Sequence, residues 1–320
     1  MLKMIVKRII QLIPVLLITM SITFVITRVL PGNPAVSILG PQASAEDIAK
    51  MEEEMGLNDP LPVQYVHYIT KVLQGDLGTS YRYNRPVAGL IIEKLPNTLQ
   101  LALTSLIIAL LIGVPIGIVS AVKQYSVFDY VSMIAALIGV SMPTFWLGLM
   151  LVLVFSVNLG WFPSMGMGSL ASGVGDVLIH IFLPAICLSF GSMANFARIS
   201  RSSMLEVIDQ DYMKAVRAKG IREWIVIMKH GLKNALPPIV TVLGMRISSL
   251  MTGAIMIETI FSWPGIGRLI VDAINNNDFE LIQGSVLFMA ILYVSVNLVV
   301  DIVYLYINPK VTYESERRAG

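Results

Sequence analysis

Three histidines and one cysteine are the residues best suited to nucleophilic or metal chemistry in this chain of 320, and they are scattered. His67 lies in a polar segment, His180 opens an apolar run and His230 sits in a basic stretch, so no nucleophile has a base within readable reach. No H-E-x-x-H occurs, which removes the helical zinc-protease signature. The lone Cys187 excludes an intrachain disulfide and fits no cysteine metal pattern. A G-x-x-x-x-G-K-[ST] is also missing, so the chain has no P-loop for ATP. The expectation is a chain with no catalytic residues, no metal and no cofactor of its own.

What remains is chemistry by charge. Arg246 stands inside an apolar run, where a charge costs roughly 2.5–3.5 kcal/mol or more and must face a cavity or a partner. Asp301 lies near the end of another apolar run and can reach it. Asn297 precedes Asp301 by four residues and shares its helical face. Two readings stay open: a structural ion pair, or an arginine on a solute pathway that meets a passing carboxylate. Glu258 lies about 18 Å along the helix from Arg246, too far to be its partner, and belongs to the mouth of such a pathway. The second concentration of charge is residues 198–235, with eight bases and four acids. Within it Asp211–Lys219 is helical in composition and Gly220 breaks the helix.

The elements that must position these groups are set by composition. Fifty-five per cent of residues are hydrophobic and only 14% charged, against about a quarter charged in a soluble domain, and the apolar residues come in long blocks. Six blocks approach the ~20 residues needed to cross a bilayer: 9–29, 99–122, 131–156, 178–197, 236–258 and 284–307. The first follows Lys3, Lys7 and Arg8 but is long for a signal core and has no cleavage site after it, so it reads as a retained helix. Counting Lys and Arg gives 15 on one side and 6 on the other, five of those six in a long loop that votes poorly. Both termini are therefore expected inside, with 198–235 cytoplasmic. The expected class is an all-α polytopic membrane protein with six spans, N-in and C-in.

Pro14, Pro115 and Pro143 fall inside spans, where neighbouring helices can re-satisfy the freed carbonyls. Gly113 and Gly117 form a G-x-x-x-G, read as a close packing contact within the bundle, with a subunit interface as the alternative. In the outer loop 31–98, Ser44-Ala45-Glu46-Asp47 reads as a capped helix start running through Met51–Met55 and stopping at Gly56. That loop is either a solvated cap or a docking surface for an external partner. The last outer loop holds Trp263, Pro264, Gly265 and Arg268. Trp263 is an interfacial anchor or part of an outer gate.

The run Lys214-Ala215-Val216-Arg217-Ala218-Lys219-Gly220, followed by His230-Gly231-Leu232-Lys233-Asn234-Ala235-Leu236-Pro237, resembles the coupling loop of bacterial ABC importer permeases. Lys214 stands at that loop's glutamate position and Val216 at its second alanine, which points to the dipeptide, oligopeptide, glutathione and nickel branch. Further resemblance runs through Leu30-Pro31-Gly32-Asn33-Pro34, Gly56-Leu57-Asn58-Asp59-Pro60, Gly75-Asp76-Leu77-Gly78 and Arg85-Pro86-Val87. It continues through Leu95-Pro96-Asn97-Thr98-Leu99, Ser141-Met142-Pro143, Trp161-Phe162-Pro163, Trp263-Pro264-Gly265-Ile266-Gly267-Arg268 and Asn308-Pro309.

This resemblance implies the B-type permease of a pair, with a type I importer fold. Its parts would be an N-terminus and first helix (1–30), an extracytoplasmic loop (31–94), the transport domain (95–306) and a cytoplasmic tail (307–320). It implies a second permease, two ATPases carrying ATP and Mg²⁺, and an extracytoplasmic solute-binding protein, in a bacterial inner membrane. Lipid surrounds it and nucleic acid has no part. It implies a coupling helix that sits in a cleft of the ATPase, formed by Tyr212, Lys214, Ala215, Arg217, Ala218, Lys219 and Gly220. The implied cargo is a dipeptide or oligopeptide, with glutathione, a nickel chelate or another peptide-like solute as alternatives. A secondary transporter is the remote competitor, but no internal repeat is visible.

Overall fold

The computed structural model describes residues 2–29, 33–40 and 42–307. The Leu30-Pro31-Gly32 and Asn308-Pro309 motifs lie outside the described residues, as do the side chains of Lys3, Lys7, Arg8, Arg28 and Asp301. In chain order the elements are α1 (Leu2–Val29), α2 (Pro34–Leu39), α3 (Ala45–Glu54), α4 (Leu61–Leu73), β1 (Thr79–Ser80), β2 (Arg85–Pro86), α5 (Val87–Val122), α6 (Val127–Ser141) and α7 (Thr144–Leu151). A π-helical segment (Val152–Asn158) and a 3₁₀ turn (Leu170–Ser172) lead to α8 (Val174–Ile208), α9 (Asp211–Ala218) and α10 (Glu223–Ile225). A second π segment (Val226–Gly231) opens into α11 (Leu232–Ile260), then α12 (Ile266–Asn275) and α13 (Phe279–Ile307).

Val87–Val122, Val174–Ile208 and Phe279–Val300 are each long and apolar enough to cross a membrane. Two bent pairs raise the number to five if each is one span: Val127–Ser141 with Thr144–Asn158, and Glu223–Ile247 with Thr252–Ile260. Ile13–Thr27 in α1 is a shorter apolar helix. Pro14 and Pro115 lie within uninterrupted helix, as expected. Pro143 does not. The segment 131–156 is bent by 106° where α6 gives way to α7. Pro143 clashes with a helical residue before it, and Met142 accordingly adopts φ −73°, ψ 129°. Pro143 is itself extended at ψ 127°, so two successive residues leave the helix and the axis turns.

The chain divides into two compact units, Met1–Thr98 with Pro264–Ser295, and Leu99–Trp263 with Val296–Gly320. In the first, Ser44 caps α3 by accepting from the Asp47 N–H at 3.1 Å, and Gly56 follows the helix at φ +63°. α1 meets α4 where Ser21 and Tyr65 share a hydrogen bond of 2.5 Å beside a Phe24–Tyr65 ring contact. Val87, Leu90 and Ile91 pack with Ile266, Ile270 and Leu281 to form this unit's core. Two of the quoted motifs interlock here. Asn97 donates to the Pro264 carbonyl at 2.9 Å, and the Ile266 N–H donates to the Thr98 hydroxyl at 2.9 Å, which satisfies a free donor at the start of α12.

The second unit is built around α8, packed between α5, α6 and α11. Leu101, Leu106, Leu188, Phe196, Ile257 and Trp263 mark its core. The G-x-x-x-G faces inward. A side chain on Gly113 would strike Met193 and Phe196, and one on Gly117 would strike Ala197 and Ser200. The two glycines therefore let the α5 and α8 backbones approach, the contact expected within the bundle. Nearby, Arg201 on α8 holds Asp129 of α6 through two bonds of 2.5 and 2.7 Å. Asp129 is 1% exposed, so the carboxylate is buried with both oxygens engaged, while Arg201 is half-buried.

Candidate functional site

α9 is eight residues long, far too short to be stable alone, so its neighbours must hold it. Asp211 in its first turn and Arg217 in its last complement the helix dipole. Gly220 ends the turn at φ +72°, its N–H donating to the Arg217 carbonyl at 3.0 Å. That conformation strains any residue with a Cβ.

One face of α9 is seated. Met213 is fully buried among Met204 and Val207 of α8, Ile118 and Ala121 of α5, and Ala235 of α11. Removing such a side chain from water contributes about 1.5–3 kcal/mol. Val216 packs on the same cluster three positions on, at helical spacing. The rest of the motif is the socket. The Tyr212 hydroxyl donates to the His230 carbonyl at 3.3 Å and accepts from the Asn234 amide at 2.7 Å. At Gly231 an added Cβ would lie 3.3 Å from the Met204 methyl and 3.4 Å from that of Met213, so glycine leaves room for both.

The other face is open: Lys214, Ala215, Ala218, Lys219 and Gly220 are exposed. Its charges are not equally available. Arg217 clamps Glu223 at 3.0 Å across the Gly220 turn, and Lys214 lies 2.8 Å from Asp211 on its own helix. Lys219 has no ion-pair partner among the described residues. Trp224, just beyond, is 70% exposed and was not singled out by the sequence.

The second feature is a cavity of about 280 Å³ at the α6–α7 break. Gly139 of α6, Met142 at the break, Thr144 of α7, Ser192 and Asn195 of α8, and Arg246 of α11 all line it. Helix-free backbone at membrane depth survives only where protein or a water-filled cavity meets it, and this break borders a cavity with polar lining. A larger space of about 600 Å³ at the same break is lined by residues such as Leu137, Ile138, Phe145 and Trp146, which offer a polar solute almost nothing. Polar chemistry is therefore concentrated in the smaller one.

Of the expected pathway residues, only Arg246 lines this cavity. Asn297 does not, and it has an interaction of its own. The Asp301 side chain is outside the described residues. Glu258 is wholly buried and its carbonyl accepts from the Trp263 N–H at 2.8 Å, so it is not solvent-facing. Trp263 is also fully buried in the α8–α11 core, which is not where an interfacial aromatic anchor sits. Pro264 and Gly265 lead into α12, where Arg268 lies 3.7 Å from Asp272.

Residues 113–313 match the family of binding-protein-dependent transport system inner membrane components, and residues 1–102 match the N-terminal model of such membrane components. The chain belongs to this family. The dipeptide transport system permease protein DppB of Alkalihalophilus pseudofirmus is 47% identical over 96% of this chain and 98% of its own length. The glutathione transport system permease protein GsiC of Salmonella choleraesuis is 43% identical, over 98% of this chain and all of that one. The oligopeptide transport system permease protein AppB of Bacillus subtilis is 42% identical, covering 97% and 99%. A chain of the MetNI methionine ABC transporter in an inward-facing conformation shares the fold, with a TM-score of 0.57 at 20% identity, covering 69% of this chain and 97% of that one. The protein is thus a multi-pass membrane permease subunit of an ABC importer.

Proposed function

We propose that this permease carries dipeptides or oligopeptides, delivered by an extracytoplasmic binding protein, across a bacterial inner membrane. It works beside a second permease and two ATPases that hold ATP and Mg²⁺, with six spans and both termini inside. The observation that carries this reading is α9, with one face anchored and the other left open. A helix held that firmly moves as one body with what it is packed on. An ATPase that grips the Lys219–Gly220 end and closes on ATP would drag α9, and through Met213 it would drag α5, α8 and α11. Close-packed interiors transmit such displacements, and interfaces flip between two states more readily than they deform. Tyr212, Lys214, Ala215, Arg217 and Ala218 serve as the body of this lever.

The cargo follows from relatives named for dipeptide, oligopeptide and glutathione transport. Arg246, with Asp301 and Asn297, is assigned to the solute path, and the buried Glu258 to the support of its outer mouth. Trp263, Pro264, Gly265 and Arg268 are assigned to its outer end, Trp263 as internal support for the gate rather than a contact surface. The test is reconstitution. The chain should co-purify with an ATPase and a second permease, and peptide-loaded binding protein should stimulate ATP hydrolysis and peptide uptake in proteoliposomes. Purification as a chain without ATPase, or uptake driven by an ion gradient alone, would overturn the reading.

A further inference from the structure

The cavity at the α6–α7 break is unusual in what its wall lacks. Among its lining residues there is no Asp or Glu, although Arg246 is there. No described carboxylate lies within ion-pair distance of the Arg246 guanidinium. A lone cation in a low-dielectric wall is costly, and the cost falls when an anion enters.

Two further polar side chains, on α8, are also left open toward a ligand. Ser192 is 5% exposed and lines the cavity, yet its hydroxyl has no hydrogen-bond partner among the described residues. Asn195, three residues on and so on the same face of α8, donates to the Gly191 carbonyl at 2.7 Å, and its side-chain oxygen has no donor among the described residues. Glycines at 139, 191 and 253 line the same space, so the walls are low. α7 begins here at Thr144, which adds the positive end of a helix to the charge of Arg246.

We propose that this cavity receives the free carboxylate of the solute in transit. Arg246 is its charge partner, the Ser192 hydroxyl donates a second bond, and the Asn195 side-chain oxygen accepts from the adjacent peptide N–H. The proposal rests on the reading of the chain as a peptide permease. It adds that the permease itself, and not only the binding protein, recognises a peptide by its end. The site is shallow and few-membered, as a pathway site must be if the solute is also to leave it. An internal Arg246–Asp301 ion pair is the competing account.

The test uses the reconstituted complex without binding protein, so that the binding protein's own preferences do not enter. A thiol is placed in the cavity by Thr144→Cys in a Cys187→Ala background, and its labelling by N-ethylmaleimide is followed on this chain by mass. Dialanine should slow labelling at concentrations about tenfold lower than dialaninamide does, the scale expected of a hydrogen-bonded charge pair. Arg246→Gln should abolish that difference, Arg246→Lys should keep part of it, and Asn195→Ala should weaken protection by both peptides. Equal protection by peptide and amide in the unaltered cavity would overturn the proposal, and this comparison needs no Arg246 variant to fold. Arg246→Gln that fails to assemble, but is restored by a second change Asp301→Asn with the peptide–amide difference intact, assigns the arginine to an ion pair and also overturns it. If binding protein stimulates ATP hydrolysis normally while no discrimination is seen, this inference alone fails; if it does not stimulate, the permease reading fails first.

Discussion

The α9 helix and the α6–α7 break belong to one unit and use helix termini in opposite ways. At α9 a short helix is ended by the Gly220 turn and its inner face is pressed into a socket. At the break a long apolar run is cut by Pro143, and the backbone borders an open space lined by Arg246. On the proposed reading, the first arrangement transmits force and the second admits a solute. Rigidity is needed where a motion enters the membrane part, and vacancy where a molecule crosses it. Substitutions should therefore separate two failures: loss of coupling at α9, and loss of passage at the break.

The largest effect is expected at Gly220. Proline fixes φ near −65° and removes the N–H that bonds the Arg217 carbonyl, whereas the position needs φ +72°. Even a non-proline side chain meets about 1–3 kcal/mol of strain there. Nothing lies within 4 Å of an added Cβ, so the damage is to the turn and not to packing. Gly220→Pro should insert normally, reduce peptide uptake to background and leave ATP hydrolysis running without transport. Uptake per ATP in proteoliposomes measures it, and an unchanged ratio refutes the lever.

Next comes the anchor. Met213→Ala should cost about 2–5 kcal/mol locally, while Met213→Leu, nearly equal in volume, should cost less than about 1.5 kcal/mol. The alanine variant should lower uptake per ATP and the melting temperature of the solubilised complex, and the leucine variant should restore both. Pro143→Ala sharpens the contrast from the other side. It frees Met142 to enter the helix, so the cavity should narrow and uptake fall several-fold, with the coupling of residual uptake to ATP unchanged. A coupling defect in that variant would mean the two regions do not divide the work as described.

These two regions were unequally legible in the sequence. The α9 loop could be read because its signals are contiguous: a helical run, a glycine stop, and a socket segment at fixed spacing. What spacing does not show is the destination of each charge. Within the chain, Arg217 is engaged by Glu223 and Lys214 by Asp211. The break was hidden because hydropathy sums a window and has no direction. The restriction that Pro143 places on Met142 is the clue the sequence offers, and it competes with the tolerance of membrane spans for proline. Ser192 and Asn195 also left a trace, as two polar residues three apart in a span whose other polar residues are His180 and Ser189. Trp263 left none. An aromatic beside Pro-Gly is equally suited to an interface or a core, and only the packing of α8 and α11 decides.

The smallest effect should come from the bond that looks strongest on α9. Arg217 and Glu223 make three contacts between 3.0 and 3.2 Å, bridging the two sides of the Gly220 turn. Their side chains are 34% and 54% exposed, however, so water already solvates both charges. Exposed pairs of this kind contribute only about 0–1 kcal/mol. Arg217 also donates to the Ile208 carbonyl at 3.4 Å, a bond that survives loss of the glutamate. Glu223→Gln should therefore change the melting temperature little and reduce uptake per ATP only slightly at low salt, with the difference vanishing as salt rises. A large, salt-independent loss would mean that the turn is held by charge and not by the buried face of α9, and the division between a seated helix and an open break would have to be redrawn around Arg217.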